Sequence, residues 1–381
     1  MTTLYAAVGP SLRWYGVDIQ AASLERRGAA TLPANIQYAW PHASRQFLYV
    51  ASSDSGGGGG NGRDAAGTRH FLHAFQLAAD GTPAPRGVAL TLPARPIHIS
   101  TDVGSRYLLA AFSNPAGLRV YRIHDDGTLG GEVEQATPVR PRIFPHQIKV
   151  APDGRLVVLV TRGNDASGDR PEDPGGLQVF RFQDGQLTET GVVAPNGGYG
   201  FGPRHLDFHP TRPWVYLAME RQNTLETFGI VGGTLSPQAL HRTGTLAGVA
   251  GPGQRPSAIH VHPDGRSVYV ANRAFGTVAD AGRRVFAGGE NTLAVFRITP
   301  ETGEPIPVQH AETHGVHCRT FALSPDGRLL VAAHVAPMPT RDGEVPAGLS
   351  VFRILENGHL DFVRRHPVDV GAANLFWVGM I

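Results

Sequence analysis

The chain has 381 residues, its formal net charge is +2, and its 48 glycines and 30 prolines make up about one residue in five. These two residues account for about one in eight in ordinary proteins, and because both destabilise helix interiors, the composition argues against a mainly helical protein. Lys149 is the single lysine beside 33 arginines, and no glycine-rich loop precedes it, which excludes P-loop nucleotide chemistry and argues against a lysine imine.

Charge, cysteine content and hydropathy restrict where the protein works. The small net charge provides no broad basic field for nucleic acid. The single cysteine, Cys318, cannot form an internal disulfide, which is consistent with a reducing compartment. Residues 1–8 lack the pattern of a signal peptide, and no apolar run reaches about 20 residues, so we expect a cytoplasmic protein that binds neither membrane nor nucleic acid. The sequence does not predict an oligomeric state.

A repeat of about 50 to 60 residues runs through the chain. Each copy has an apolar strand, a tight turn and a second apolar strand, with apolar residues at every second position. Pro152-Asp153-Gly154 is the clearest kind of turn, because proline fixes φ, aspartate caps the turn and glycine accepts a positive φ. The six turns are marked by His42, Asp102, Asp153, Thr211, Asp264 and Asp326.

A third strand follows in most copies and ends in Val-Tyr-Arg or Val-Phe-Arg, as at residues 120–122 and 179–181, before a short fourth strand. Each copy is therefore predicted to be a four-stranded antiparallel blade. Residues 3–32 supply three strands of a further blade, and residues 373–379 supply its first strand. The sequence thus predicts an all-β, seven-bladed β-propeller that is closed by both chain ends and forms a single domain over residues 1–381.

The topology brings polar residues together at one mouth of the central channel. The innermost strand of each blade begins on the face opposite the Pro-Asp-Gly turns, and the second strand ends on that same face. Residues at these positions are rich in arginine and histidine, which predicts an anion site. They are Arg95, His98, His146, Arg204, His205, Arg255 and Arg319 on first strands, and Arg162, Glu220, Arg221, Asn272 and Arg273 on second strands.

Four long connections lie on the same face and are expected to shape this mouth. They span residues 52–69, 162–176, 274–290 and 334–348.

The remaining motifs do not indicate a cofactor site, a metal site or a cysteine nucleophile. Residues 57–62 match a dinucleotide-binding glycine pattern, but no helix or βαβ unit follows, so no cofactor is expected. His205 and His209 lie about 13 Å apart along one strand, too far to share a metal ion. We interpret His260 and His262 as packed or solvated side chains, and we expect no metal ion in the protein. Cys318 has no helix N-terminus to activate it as a nucleophile.

Acid–base chemistry without a metal ion remains. Glu220 lies among cations at the mouth, and His146 faces it from the neighbouring blade. Either could activate water near neutral pH, while Arg204 and Arg255 stabilise an oxyanion or bind a carboxylate.

Several of these residues resemble a known family. The motif Gly202-Pro203-Arg204-His205 with Glu220 after the next strand, together with Pro145-His146, Arg255 and the strand 374–378, is similar to the seven-bladed lactonase family. That family includes bacterial propeller-type 6-phosphogluconolactonases and the fungal 3-carboxy-cis,cis-muconate lactonizing enzyme. The resemblance extends over nearly the whole chain. It implies a metal-free site with His146, Arg204, Glu220 and Arg255 as catalytic residues.

We expect the substrate to be bound by further residues of the mouth, namely Arg95, His98, His205, Arg273, Arg319 and Asn374. The segment 274–290, with Arg283 and Arg284, is longer than the hairpin expected in phosphogluconolactonases, so it should reshape the mouth.

Three functions are compatible with these residues. The first is a metal-independent lactonase that hydrolyses an anionic, sugar-type lactone. The second is a carboxymuconate-type cycloisomerase, in which a substrate carboxylate attacks a double bond at the same site. The third is a non-catalytic propeller that binds an anion or a protein. The leading hypothesis is the lactonase, with a small anionic lactone or carboxylate as its partner.

Overall fold

The computed structural model describes residues 1–55 and 67–381. In these residues, strands follow one another with a single short 3-10 turn at Pro195–Gly198. The predicted all-β class is therefore confirmed. The glycine pattern at 57–62 and most of the connection 52–69 lie outside the described residues. Within the described ranges, no helix is long and apolar enough to cross a membrane.

The strands group into blades, and we label the strands of each blade A to D from the channel outward. Blade one contains Asn35–Pro41, Phe47–Ser53, His70–Leu77 and the outer pieces Pro83–Pro85 and Leu90–Thr91. Blade two contains Pro96–Thr101, Tyr107–Ser113, Ala116–Ile123 and Leu129–Glu132. Blade three contains Pro145–Val150, Leu156–Thr161, Gly176–Gln183 and Gln186–Val193.

The remaining blades repeat this antiparallel order. Blade four contains Pro203–Phe208, Trp214–Met219, Thr224–Val231 and the outer pieces Thr234–Leu235 and His241–Gly244. Blade five contains Arg255–Val261, Ser267–Arg273, Thr292–Ile298 and Pro305–Glu312. Blade six contains Cys318–Leu323, Leu329–His334, Gly348–Ile354 and Leu360–Pro367.

Both ends of the chain build blade seven, as the sequence predicts. Its strands are Leu375–Met380, Thr3–Val8, Ser11–Asp18 and Ser23–Thr31. Leu375–Met380 pairs antiparallel with Thr3–Val8, so the last strand of the chain is strand A of this blade. Each A strand contacts the A strands of its two neighbours, and these contacts close into one ring of seven. The predicted seven-bladed propeller is therefore confirmed.

The hydrophobic core lies between the faces of neighbouring blades. Val158 and Val160 of blade three pack with Leu206 and Leu217 of blade four, and all four are fully buried. Alternation of apolar residues along each strand produces this packing, because both faces of every blade meet another blade. Burial of each such side chain contributes roughly 1.5–3 kcal/mol.

Tyrosine hydroxyls on B strands join one blade to the next. Each donates a hydrogen bond to the carbonyl oxygen of a glycine in the C–D turn of the following blade. Tyr216 of blade four, for example, reaches Gly303 of blade five at 3.0 Å. The other pairs are Tyr5 with Gly81, Tyr49 with Gly127 and Tyr269 with Gly358. These contacts satisfy buried polar groups and fix the distance between blades.

A β-bulge occurs near the start of every A strand. In each blade the pairing between strands A and B shifts by one residue at this point. A bulge inserts an extra residue and re-aims side chains, and bulges are frequent beside active sites. The extra residues are Gln37, Ile97, His146, Arg204, Ser257 with Ala258, Arg319 and Phe376.

Two of the long connections form hairpins at the mouth, where the sequence predicted only extended loops. The connection of blade five contains Thr277–Asp280 paired with Arg283–Phe286. The turn residues Ala281 and Gly282 both have positive φ, which is the requirement of a type I′ hairpin turn. The connection of blade six contains Met338–Thr340 paired with Gly343–Val345.

The Arg283 guanidinium donates hydrogen bonds to the carbonyl oxygens of Thr340 at 3.1 Å and Arg341 at 3.2 Å. The two hairpins are thereby tied together.

Candidate active site

Glu220 lies at the centre of an arginine cluster, directly after strand B of blade four. Its side chain is 4% exposed, and its backbone N–H donates to the carbonyl oxygen of Gly202 at 3.0 Å. Oε1 accepts a hydrogen bond from Arg273 at 2.6 Å and lies 3.3 Å from Nε of Arg204. Oε2 accepts a hydrogen bond from Arg162 and lies 3.8 Å from Nη1 of Arg255.

These four guanidinium groups determine the ionisation of Glu220. Burial alone would raise the pKa of Glu220, but the charges of Arg162, Arg273 and Arg204 hold it well below the usual value. The side chain is therefore an anion at neutral pH. Because guanidinium groups surround both carboxylate oxygens, Glu220 is poorly suited to accept a proton.

The connection after strand B of blade three supplies two more carboxylates that the sequence analysis did not select. Asp165 accepts hydrogen bonds from Arg221 at 2.7 Å, Arg162 at 2.7 Å and Arg255 at 3.1 Å. Glu172 forms an ion pair with Arg221. The three-residue spacing between Arg162 and Asp165 was the available signal, but the fold had to bring Arg221 and Arg255 to the same carboxylate.

The cluster has more positive than negative groups. Five arginines, at positions 162, 204, 221, 255 and 273, meet three carboxylates, those of Asp165, Glu172 and Glu220. Two positive charges are therefore uncompensated within the cluster. Burial and the neighbouring charge of Arg273 lower the pKa of Arg204, a fully buried side chain, to about 9. An anion bound at the mouth would relieve this repulsion.

Three histidines from neighbouring blades meet beside the arginines. The rings of His146 and His205 have centroids 4.9 Å apart, and those of His98 and His205 are 6.3 Å apart. His98 is 0% exposed, and neither of its ring nitrogens has a hydrogen-bond partner. Nδ1 of His146 is buried without a partner as well. These nitrogens are the orphaned polar atoms that a bound molecule could satisfy.

All three histidines are neutral near pH 7. Burial lowers the pKa of each well below its usual value, and the positive charge of Lys149 acts in the same direction on His98. For His146 and His205 the next cause is the charge of Arg204. Nδ1 of His205 lies 2.9 Å from Nη1 of Arg204, and because a guanidinium only donates, that nitrogen must be the acceptor.

Arg319 lies on the wall contributed by blade six. Its guanidinium carbon is 4.1 Å from the centre of the Phe376 ring in blade seven. Its charge contributes to the lowered pKa values of His146 and His205, which places it within electrostatic reach of both. Arg95 directly precedes strand A of blade two, which blades seven and one separate from Arg319, and it donates a hydrogen bond to the side-chain oxygen of Gln37 at 2.7 Å.

Aromatic side chains cover the cluster near blade five. Phe275 lies 5.5 Å below the guanidinium of Arg273 and stacks on the ring of His317 with centroids 4.7 Å apart. Burial, followed by the charge of Arg273, holds the pKa of His317 well below its usual value. Neither side chain was expected in the anion site, because Phe275 follows strand B of blade five, His317 precedes strand A of blade six, and only the fold brings both rings beside Arg273.

Asn374 occupies a different environment from the other selected residues. It is exposed, and its backbone carbonyl oxygen accepts a hydrogen bond from Gly9. The bulge residue of that strand is Phe376, and its ring contacts Arg319. The structure therefore brings together His98, His146, Arg204, His205, Glu220, Arg255 and Arg273, with Arg319 and Arg95 nearby, and leaves Asn374 apart.

A second polar layer lies deeper in the channel. Lys149 forms an ion pair with Asp207, and Nδ1 of His260 lies 3.7 Å from the same carboxylate. Burial raises the pKa of Asp207, but the charge of Lys149 outweighs it and holds that pKa well below the usual value. The single lysine of the chain is therefore engaged in a buried ion pair.

The described residues contain no group of three or more His, Cys, Asp or Glu side chains with the geometry of a metal site. His314 stacks on Phe362 and His317 on Phe275, so these two histidines face different neighbours. Burial raises the pKa of the Cys318 thiol to about 12, which leaves it protonated. An open groove of about 530 Å³ is lined by Tyr5, Arg45 and Asp326 on the opposite face and contains none of the arginine cluster.

Comparison with known proteins agrees with this architecture. Residues 2–336 match a family model described as a lactonase with a 7-bladed beta-propeller. A 6-phosphogluconolactonase of Serratia proteamaculans is 26% identical over 368 residues, which are 95% of this chain and 93% of that protein. A 6-phosphogluconolactonase of Bacillus subtilis is 27% identical over 248 residues, which are 63% of each chain.

Solved structures share the fold over the full length. A periplasmic gluconolactonase of Pseudomonas aeruginosa superimposes with a TM-score of 0.71 at 22% identity, covering 100% of this chain and 99% of that one. A protein from Lactobacillus plantarum gives a TM-score of 0.73 at 21% identity, again covering 100% and 99%.

Proposed function

The chain belongs to the lactonase family of seven-bladed β-propellers, and we propose that it hydrolyses an anionic, sugar-type lactone such as 6-phosphogluconolactone at the channel mouth. One observation carries this proposal. A neutral histidine with an unpartnered nitrogen, His146, lies beside an arginine cluster that has more cations than carboxylates. Such a site pairs a proton acceptor with groups that bind and stabilise negative charge.

We propose that His146 acts as the general base. It takes a proton from water as the water oxygen attacks the lactone carbonyl carbon. The carbonyl oxygen becomes an oxyanion, which Arg204 and Arg255 stabilise by charge and hydrogen bonding. When the tetrahedral intermediate collapses, the ring carbon–oxygen bond breaks, and the proton on His146 passes to the departing ring oxygen. The product is a hydroxy acid.

In this proposal Glu220 positions the arginines and does not accept the proton. The low pKa of Glu220 and the guanidinium groups around both its oxygens support that role. This assignment is narrower than the sequence analysis, which left Glu220 and His146 as equal candidates for the base. Nδ1 of His205 accepts from Arg204, so the proposal assigns its other ring nitrogen to hydrogen-bond the substrate, on a ring whose centroid is 4.9 Å from that of His146.

The proposal also covers the domain organisation and the cellular location of the protein. Residues 1–381 form one domain, which the closed ring of seven A strands supports. The enzyme acts in the cytoplasm, which cell fractionation would test, since one similar structure is that of a periplasmic protein.

The direct test is an assay of purified protein with 6-phosphogluconolactone, gluconolactone and carboxymuconate. Acid release is followed at constant pH, and muconate is followed by its ultraviolet absorbance. We expect hydrolysis of the lactones, and we expect His146→Asn to lower kcat/KM at least about 100-fold, as for loss of a general base. The acidic limb of the wild-type profile should lie below pH 6.5, because the pKa of His146 is lowered.

His124→Asn is the matched control, since His124 is exposed in a turn of blade two. Loss of muconate absorbance without lactone hydrolysis would replace the proposal with the cycloisomerase. Anion binding without turnover of any of the three compounds would replace it with a non-catalytic propeller.

A further inference from the structure

The arginines at the mouth differ in how they are neutralised. Arg162, Arg204, Arg221, Arg255 and Arg273 each lie within 4 Å of at least one carboxylate oxygen. Arg319 has no carboxylate partner and no side-chain hydrogen bond among the described residues. Its guanidinium carbon lies over the Phe376 ring, 4.1 Å from the ring centroid.

This contact leaves the binding edge of Arg319 open. The Phe376 ring has no oxygen or nitrogen acceptor, so this contact leaves the N–H donors of Arg319 without a conventional hydrogen-bond acceptor. The backbone of Arg319 is held in place, because its carbonyl oxygen accepts a hydrogen bond from the Ser257 hydroxyl. The bulge at Arg319 then re-aims this side chain toward the channel. The Arg319 guanidinium is therefore oriented, and its N–H donors have no hydrogen-bond acceptor among the described residues.

The surroundings of Arg319 destabilise its positive charge when no anion is bound. Burial lowers the pKa of Arg319 well below its usual value, and the charges of Arg204, Arg273 and Arg95 add to the effect. A partly buried cation near three others is destabilising unless an anion compensates it. The charge of Glu220 acts in the opposite direction, but that carboxylate is already paired with four other arginines, so a bound anion would supply the compensation that Arg319 lacks.

Arg319 and His146 lie on different sides of the channel. They occupy the A strands of blades six and three, which are separated on one side by blades four and five. The charge of Arg319 still acts on His146 and His205. A small molecule could therefore contact His146 with one end and Arg319 with the other.

We propose that Arg319, stacked on Phe376 and assisted by Arg95, binds the phosphate of a phosphorylated sugar lactone while His146 and Arg204 act on its carbonyl. This assignment rests on the proposed lactonase function and names the subsite that gives it selectivity. A phosphate has three terminal oxygens and suits a forked guanidinium. Arg95 contributes charge from the start of blade two, across blades seven and one, while it is hydrogen-bonded to Gln37.

The test measures selectivity as the ratio of kcat/KM for 6-phosphogluconolactone to kcat/KM for gluconolactone. We expect Arg319→Gln to lower this ratio about 10- to 100-fold, as for loss of a charged hydrogen bond. Arg319→Lys should restore part of it, because lysine keeps the charge and loses the fork. Arg328→Gln is the matched control, since Arg328 is exposed at the A–B turn of the same blade on the opposite face. It should leave the ratio unchanged.

A binding measurement separates this subsite from the reaction. Calorimetry with the His146→Asn protein compares 6-phosphogluconate with gluconate, and we expect tighter binding of the phosphorylated acid that is lost when Arg319→Gln is added. If no lactone is hydrolysed but this preference holds, the proposed reaction fails and the phosphate subsite stands. Equal binding of the two acids, or an unchanged ratio in Arg319→Gln, would overturn the subsite.

Discussion

Individual side chains at the mouth depend on their neighbours for their chemical role. Glu220 is the only carboxylate of the cluster that contacts four arginines among the described residues. Removing the charge of one partner in a buried ion pair typically costs 3–5 kcal/mol, because the other charge remains buried. We therefore propose that Glu220 holds the arginines in the arrangement on which binding of an anion depends.

We predict that Glu220→Gln folds but lowers kcat/KM for the lactone at least about 100-fold, which corresponds to about 2.7 kcal/mol. The same variant should lose about 3 kcal/mol of unfolding free energy, since the buried arginines lose their counterion. Steady-state kinetics and denaturant unfolding measure both effects. The acidic limb of its pH profile should persist, because that limb belongs to His146.

Glu226→Gln is the control, since Glu226 is a buried carboxylate of the same blade that pairs only with Arg242 among the described residues. Disappearance of the acidic limb in Glu220→Gln, with binding intact, would instead assign the base to Glu220.

The strands and turns repeat from blade to blade, and this repeat can be recognised in the sequence. The Pro-Asp-Gly turns, the apolar alternation and the Val-Phe-Arg strand ends predict the blades and their order, and the structure confirms both. The bulges are different, since residues such as Arg204 and Arg319 carry no local signal that the pairing shifts there. The hairpin at 277–286 could have been predicted, because Ala281-Gly282 after Asp280 is a turn sequence.

At this scale we predict that Tyr216→Phe lowers the free energy of unfolding by about 1–2 kcal/mol, because the carbonyl oxygen of Gly303 loses its buried donor. Denaturant unfolding followed by tryptophan fluorescence measures the change. Tyr199→Phe is the control, since Tyr199 is 53% exposed and its hydroxyl has no role between blades. Equal stability of the Tyr216 variant and the wild type would show that these hydrogen bonds do not hold the blades together.

The whole molecule is closed by pairing of the last strand with the first, and this closure surrounds a channel with buried histidines. His98, His146 and His205 are neutral in the folded state because their pKa values are lowered. In the unfolded chain they return to a pKa near 6.5. Below that pH the unfolded state therefore binds more protons than the folded state, and stability must fall as the pH falls.

We predict that the free energy of unfolding falls as the pH is lowered from 7.5 to 5.5, by about 1.4 kcal/mol per pH unit below 6.5 for each such histidine. Replacing the fully buried His98 with Phe should reduce this slope by about 1.4 kcal/mol per pH unit, because one histidine fewer takes up a proton on unfolding. His124→Asn, at an exposed position, should leave the slope unchanged. Denaturant unfolding at several pH values gives the slope. A flat profile would mean that these histidines titrate with the same pKa in the folded and the unfolded state.

The sequence alone determines the architecture of this protein. Strand periodicity and turn chemistry are local properties, so they can be seen along the chain, and they predict seven blades, their closure and one face rich in arginine and histidine. The family resemblance was inferred from Gly202-Pro203-Arg204-His205 and Glu220, and the family model matches residues 2–336.

Only the tertiary structure decides which charges meet. Asp165 neutralises arginines from three blades, Glu220 lies among four guanidinium groups, and Arg319 faces an aromatic ring with no carboxylate among the described residues. The spacing of Arg162 and Asp165 is the one local signal among these pairings, because most of the other partners come from different blades. Their pKa values, and so their chemical roles, follow from burial and distance in the folded ring.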